Sequence, residues 1–446
     1  MRDQRTLSGW GRTAPTMARV ERPVSDEQLQ EAISGAGERG VLARGLGRSY
    51  GDAAQNAGGL VLDLTDRDRV LHDDGAGTLR VESGVSLDTL MRRFVPAGWF
   101  VPVTPGTRQV TVGGAIGSDI HGKNHHVKGT FGQHIRSMDL LLASGEIRTV
   151  TPDDALFWAT VGGMGQTGVI LRAEVAMTAI ESAWCAVDTQ RCRNLDELLL
   201  AMADDAAYEY SVAWVDCLAK GESLGRSVLT RGRFARADEL SDKQAHEPLD
   251  YRPRVLLTAP SFVPGGLLNK FSVAAFNEVW FRKAPAHRVG ELQSITTFFH
   301  PLDGVADWNR IYGAGGLIQY QIVVPDGHED TIRTCIEAFS SAGAASFLAV
   351  LKRFGPHNPG PLSFPMSGWT LALDVPATMP DLGPLLDRLD ALVIAVGGRG
   401  YLAKDSRMTP ETFRAMYPRY PQWAAVRDAV DPEHLFISDL ARRLAL

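Results

Sequence analysis

The stretch Thr111-Val112-Gly113-Gly114-Ala115-Ile116-Gly117-Ser118-Asp119-Ile120-His121-Gly122-Lys123-Asn124-His125-His126 decides how this chain is read. Glycines and histidines crowd together where no ordinary core element uses them, and the stretch reads as a wall built around a ligand. Paired glycines let backbone N–H groups come close to an anion or a flat ring, and the histidines, lysine and asparagine bring donors to the same rim. The guest this wall predicts is a large anionic cofactor.

Upstream, Asp26 to Ile33 has apolar residues at helical spacing behind Ser25 as N-cap. Val41-Leu42-Ala43-Arg44 leads as a strand into the glycine loop Gly45-Leu46-Gly47-Arg48-Ser49-Tyr50-Gly51-Asp52, and Gly59 to Leu64 follows as a short buried strand. Thr78 to Gly84 alternates with period two before Ser86 to Phe94 switches to helical spacing. Downstream, Met138–Leu142 and Ile147–Val150 flank Ser144-Gly145 as a hairpin, Asp154 to Val161 is helical and Val169 to Met177 is extended. This mixture is an α+β domain.

Near residue 180 the pattern changes. Strand-like runs such as Tyr320–Val324 and Thr370–Val375 alternate with helices such as Thr331–Ser340, and Tyr401 to Leu446 is expected to pack back on the first half. The expected units are therefore 1–180, 181–398 and 399–446. Two insertions stand out in the second unit: Val255–Phe276, rich in Leu, Pro and Gly, and Pro301–Gly316. An apolar insertion of this kind serves as a lid, as a surface that meets lipid, or as a buried connector.

A chain of 446 residues is too long for one compact core, and two domains are the default. A net charge of −6, with no long lysine/arginine run, excludes nucleic acid as an expected partner. The four cysteines, Cys185, Cys192, Cys217 and Cys335, form no CxxC pair, which argues for buried thiols and against structural zinc or a disulfide scaffold. No secretory signal is read at the start, and no run approaches the ~18 apolar residues of a membrane span.

Two motifs mislead. Gly163-Met164-Gly165-Gln166-Thr167-Gly168 is formally Gly-x-Gly-x-x-Gly, but a helical pattern precedes it and an extended one follows, the reverse of a nicotinamide-binding turn. The Gly45–Gly51 loop follows a strand but has Tyr50 at the third glycine position. His121 and His125 sit four apart, the spacing of a helical zinc site, yet Gly122 opposes a helix there, so no metal is expected. Tyr401, Lys404, Asp405, Ser406 and Arg407 form a compact polar motif whose lysine is either solvated or a cation facing an anion.

Taken together, Ala43 to Asp52, Pro105-Gly106-Thr107, Thr111 to Gly114, His121 to His126 and Ala403-Lys404-Asp405-Ser406-Arg407 resemble the vanillyl-alcohol-oxidase-type flavoproteins. Within them the chain is similar to the family of oxidase subunits of decaprenylphosphoryl-ribose 2′-epimerases, from Gly9-Trp10-Gly11-Arg12 to Ser438–Arg443. The resemblance implies a two-subdomain FAD-binding domain of the PCMH type, completed by the C-terminal segment, and an α+β substrate domain with an antiparallel sheet. Carried over by motif, Ala43, Arg44, Gly45, Leu46, Gly47, Arg48, Ser49, Tyr50, Gly51, Asp52, Gly106, Thr111, Val112, Gly113, Gly114, Ser118, Asp119, Ile120, His121, His125, Ile170 and Tyr401 would contact FAD.

The implied reaction oxidises the C2′ hydroxyl of a polyprenyl-phosphoryl ribose to a ketone, with Lys404, His121 and Tyr50 as catalytic residues. Gln319, Gln321, Lys352, Thr370, Ala372 and Lys404 would line the substrate side. An NAD(P)H-dependent short-chain reductase subunit would complete the epimerisation for cell-wall arabinan, and the lipid substrate implies peripheral membrane contact at the cell envelope. The neighbouring reading is a soluble alditol or aldonolactone oxidase that uses oxygen. Relatives that hold FAD covalently have histidine where this chain has Arg48, or add a cysteine in the FAD domain, so dissociable FAD is expected. Mycobacterial members have cysteine, the residue captured by nitroaromatic inhibitors, where this chain has Ala372, and cysteine again where it has Ser118.

Overall fold

The computed structural model describes residues 4–203, 207–260, 262–264 and 266–446. Three sheets organise them. In the first, Gln4–Leu7, Thr16–Glu21, Leu60–Asp63 and Val41–Arg44 lie side by side in that order. Leu60–Asp63 runs parallel to both neighbours, so the Gly45–Asp52 loop leaves the carboxyl end of a parallel strand, where open sheets place their ligands. The second sheet is antiparallel, in the order Val70–Asp73, Thr78–Glu82, Val169–Ala176, Ile135–Leu141, Ile147–Val150.

The third sheet is antiparallel with eight strands. Its order is His287–Ser294, Trp184–Cys192, Ser227–Phe234, Tyr210–Val215, Ala349–Phe354, Gly368–Pro376, Leu317–Pro325 and Arg399–Gly400. The α+β class is as the sequence predicts. Helices cover the sheets for local reasons: Leu87–Phe94 is capped by Ser86, whose hydroxyl accepts from the Thr89 N–H, and it buries Leu87, Leu90, Met91 and Phe94. That spacing is one helical stripe, and each side chain contributes roughly 1.5–3 kcal/mol of burial. Asp26–Ser34 starts behind Ser25, as expected. The decoy at Gly163 indeed follows a helix, Ala155–Thr160, and precedes a strand, Val169–Ala176.

The C-terminal segment packs on the first half. Phe436 bridges Val41, the Ala57 N–H donates to the Asp439 carboxylate at 2.9 Å, and Trp423 Nε1 donates to Ala159 O at 2.9 Å. All four cysteines are buried and free.

Two parts of the chain hold regular structure that no local signal announces. Val112–Gly117 is a short helix, because the Thr111 hydroxyl accepts from the Gly114 N–H at 3.1 Å and Val112, Ala115 and Ile116 all turn into the core. Its Gly113 is pressed so close to Ser83 that a Cβ would lie 2.9 Å from that side chain. The two insertions zip together: Leu257–Thr258 pairs in parallel with Val305–Ala306, and Lys270–Lys283 is a helix that takes in Phe271 and Phe276. Ser261 and Gly265 of the first insertion lie outside the described residues. Among the described residues no helix is long and apolar enough to cross a membrane.

Candidate active site

Strand register assembles one wall of the site. Gln319 faces Asp374 and Gln321 faces Ala372 across one strand pair, while Lys352 faces Thr370 across the next. Paired and alternate residues share a face, so Gln319, Gln321, Lys352, Thr370, Ala372 and Asp374 all project to the same side. The opposite wall comes from the first half and the C-terminus. The Tyr50 N–H donates to Ala403 O at 2.9 Å, and the N-terminal turn backs the loop as Trp10 N–H donates to Ser49 O at 2.7 Å and Leu317 N–H to Gly11 O at 2.8 Å. Lys404 Nζ lies 3.9 Å from the Tyr50 ring centroid. Tyr401 Oη donates to Ser118 O at 2.7 Å.

His121 is held between the walls. The Gln321 side-chain N–H donates to His121 Nε2 at 2.9 Å and to Thr370 Oγ1 at 3.3 Å, which leaves the imidazole proton on Nδ1. That Nδ1 is buried with no protein partner. Burial, with Lys352 nearby, keeps the ring well below the usual histidine pKa and therefore neutral. In this tautomer His121 offers the cavity a hydrogen-bond donor. His125 accepts from the Gly355 N–H at Nδ1, at 3.1 Å, so its own proton sits on Nε2, also without a protein partner.

The site is short of negative charge. Lys123, Lys352 and Lys404 are all partly buried; the Lys123 ammonium donates to Phe298 O and lies 4.2 Å over the Phe298 ring, and that of Lys404 lies over the Tyr50 ring. Desolvation pushes Lys123 down to about 7 and Lys352 to about 8. Lys404 is also pushed down by desolvation, while Asp374, fully buried, is pushed up by the same cause. Asp374 Oδ1 accepts from Gln319, and its Oδ2 has no partner. One carboxylate therefore stands with two site lysines, Lys352 and Lys404, neither of which forms an ion pair among the described residues. Uncompensated cations at this depth are costly, and an anionic guest offsets that cost.

The glycine loop has open donors. Among the described residues the N–H groups of Leu46, Gly47, Arg48 and Ser49 donate to no protein acceptor. Four successive free amides at the end of a parallel strand fit a diphosphate. The Thr111–Gly114 turn does not offer the same: Val112 N–H is taken by Val85 O, Gly113 N–H by Ser83 O and Gly114 N–H by the Thr111 hydroxyl. Gly106 and Gly117 face open space, with no heavy atom nearer than 3.8 Å to a Cβ built there. Gly45 and Gly51 are glycines for another reason, since a Cβ would meet Thr111 Oγ1 at 2.2 Å and Asp405 O at 1.9 Å. They let protein segments close on one another.

Other predicted contacts act from behind. The Asp119 carboxylate is fully buried and takes hydrogen bonds from Ser363, Asn358 and the Gly132 N–H, so it braces the segment instead of reaching a ligand. Asp52 pairs with Arg443 at 2.7 Å, and Arg44 donates to Ser8 O at 2.9 Å, fastening the loop. Ile120 and Ile170 are buried apolar wall residues, and Ala43 is the last residue but one of the strand that feeds the loop. The Arg48 guanidinium stacks 3.9 Å over Trp10. Sequence reasoning missed Asp374, and it placed at the ligand rim Lys123, whose ammonium instead donates to Phe298 O. The first left a trace, a lone carboxylate among the apolar residues of Thr370–Val375.

Residues 17–151 match the FAD binding domain family, and residues 378–444 match the D-arabinono-1,4-lactone oxidase family. The chain is 49% identical to decaprenylphosphoryl-β-D-ribose oxidase of Mycolicibacterium smegmatis, covering 99% of this chain and 97% of that protein. It is 39% identical to an uncharacterized protein of Streptomyces coelicolor over 81% of this chain and all of the other, 100%. With L-gulono-1,4-lactone dehydrogenase of Mycobacterium tuberculosis it shares 24% identity over 98% of both chains.

Proposed function

Because this chain belongs to the FAD-dependent oxidoreductase family of decaprenylphosphoryl-β-D-ribose oxidase, we propose that it oxidises the ribose C2′ hydroxyl of decaprenylphosphoryl-β-D-ribose to the 2′-ketone. The observation that carries this reading is the excess of basic groups, Lys352 and Lys404 against Asp374, in a cleft that also offers hydroxyl-binding amides at Gln319 and Gln321. A ribosyl phosphate supplies the missing negative charge together with hydroxyls for those amides.

FAD, when bound, supplies the acceptor for the hydride that leaves C2′. The free amides of Leu46 to Ser49 would hold its diphosphate, with Gly106, Gly117, Ser118, His125 and Tyr401 along its flat end. Lys404, whose neutral form burial favours, takes the hydroxyl proton and becomes a cation as negative charge builds beside it. Neutral His121 donates from Nδ1 and holds an oxygen in place. Asp374 shares charge with Lys404, and Tyr50 keeps that lysine against its ring. Lys352 pairs with the phosphate.

This oxidation is the first half of an epimerisation to arabinose for cell-wall arabinan, and a separate NAD(P)H-dependent short-chain reductase returns the hydride. The lipid substrate calls for peripheral membrane contact at the envelope. The exposed Leu256, Leu257, Phe262 and Phe271 supply an apolar surface for it. The likeness of residues 378–444 to D-arabinono-1,4-lactone oxidase favours a second reading, a soluble aldonolactone oxidase using oxygen. Anaerobic titration separates the two: bleaching of the flavin by farnesyl- or decaprenyl-phosphoryl ribose supports the first, and bleaching by xylitol or an aldonolactone alone supports the second.

A further inference from the structure

We propose that the pocket walled by Phe262, Leu268, Ile311, Tyr312, Ala314 and Pro376 receives the first isoprene units of the substrate's polyprenyl chain. This rests on the function proposed above and adds a subsite to it. The pocket encloses about 220 Å³, and apart from the Tyr312 hydroxyl and Thr378 its side chains are apolar, as the lining of small-molecule sites mostly is.

Its place on the sheet argues for continuity with the reacting sugar. Asp374 and Pro376 are alternate residues of one strand, so the pocket wall begins roughly 7 Å beyond the carboxylate on the same face. Tyr312 joins the two spaces. It lines the pocket, belongs to one buried cluster with Tyr50, Trp308 and Leu317, and its buried Oη has no protein partner. A hydroxyl at the junction of a polar and an apolar space suits the oxygen that links a phosphate to a hydrocarbon. Outward from Tyr312 an aromatic path continues through Phe347 at 6.0 Å, Phe276 at 5.8 Å and Trp280 at 6.0 Å between ring centroids. It ends on a helix whose Phe271 and Val279 are exposed to 75% and 66%. A chain leaving the pocket along this path stays against apolar surface until it reaches the outside.

The test uses the FAD-loaded full-length protein and Ala314→Trp, a substitution at an exposed wall position that fills the pocket, with Ile311→Ser as a second variant. Ribosyl phosphate is offered on methyl, farnesyl and decaprenyl chains, and flavin bleaching gives kcat/KM for each. In parallel, farnesyl phosphate without ribose is titrated by quenching of tryptophan fluorescence. The expected result is a wild-type preference for the longer chains. Both variants should lose roughly tenfold in kcat/KM on the farnesyl substrate and in farnesyl phosphate affinity, with the methyl substrate unaffected. Equal loss on methyl and farnesyl substrates, or farnesyl phosphate binding that neither variant weakens, overturns the subsite. If no ribosyl phosphate bleaches the flavin, the proposed reaction fails, and the farnesyl phosphate titration still decides the pocket.

Discussion

Lys404 rests its ammonium 3.9 Å from the centre of the Tyr50 ring instead of on a carboxylate, although Asp374 faces the same cavity. A desolvated cation–π contact is worth about 2 kcal/mol, less than the several kcal/mol of desolvating an ammonium group. The pair is therefore built to change charge when a second anion arrives. Tyr50 holds the lysine in place without fixing its proton. A salt bridge would have locked the proton on.

From this pair, Lys404→Met should slow anaerobic flavin bleaching by roughly 10²–10³-fold, the cost of removing one preorganised charge-stabilising group. Tm should hold or rise, because a desolvated amine leaves the interior. An unchanged bleaching rate would take Lys404 out of the chemistry.

Lys352 makes the stability of the FAD-free protein depend on pH. Desolvation lowers it from the ordinary lysine value of 10.5 to about 8, so between those values the unfolded chain holds a proton that the folded chain has released. Stability is then greatest above the unfolded value and is lost as pH falls through the folded one. Tm should climb between about pH 8 and about pH 10, and Lys352→Met should flatten that climb. A variant with the wild-type slope would assign the effect elsewhere.

The free amides of Leu46 to Ser49 depend on Gly47, which sits at φ +64° with Arg44 closed beneath it. Gly47→Ala forces that left-handed backbone on a residue with a Cβ, costs about 1–2 kcal/mol and pushes Arg44 off the loop. The purified variant should retain less FAD after gel filtration. Gly145→Ala, at φ +84° on a hairpin with open space around it, carries similar strain and should keep its FAD. Equal FAD loss in both would mean strain alone is being measured.

Ala372 lies on the site face opposite Gln321, buried, with no nucleophile, and every cysteine is sequestered elsewhere. Turnover with a nitroaromatic inhibitor should leave the intact mass of this protein unchanged, and Ala372→Cys should gain one adduct. An adduct on the unmodified chain would show that another residue reaches the cavity.

FAD should separate from the polypeptide on acid precipitation. Arg48 stands where covalent relatives have histidine, its guanidinium stacked on Trp10, and the buried Cys185 is the first thiol along the chain. Flavin absorbance that stays with the protein pellet would refute this.

Much of the fold was legible because local rules carry it. Ser25 and Ser86 announce their helices by capping, and the Thr78–Glu82 strand shows its alternation. The helix–glycine–strand order around Gly163 dismisses its own decoy motif. Less was legible where glycine has two uses. Gly106 leaves open space, whereas Gly45, Gly47, Gly51 and Gly113 leave room for Thr111, Arg44, Asp405 and Ser83, and the letters are the same. The helix Val112–Gly117 was hidden for that reason, since its stability comes from a cap and a buried face that outweigh poor propensity.

By itself the sequence determined the class, the flavoprotein family and the elements that carry their own signals, because capping, periodicity and motif spacing act within a few residues of chain. Only the tertiary structure decided the charge balance and the donor accounting. Asp374 and Lys404 meet through strand register and the return of the C-terminus. Whether an amide is free depends on which distant carbonyl reaches it, as Ser83 O reaches Gly113 and no carbonyl of the described residues reaches Gly47. Burial and pairing are properties of neighbours in space, and the shift in proton affinity that the proposed chemistry uses exists only once those neighbours have displaced water.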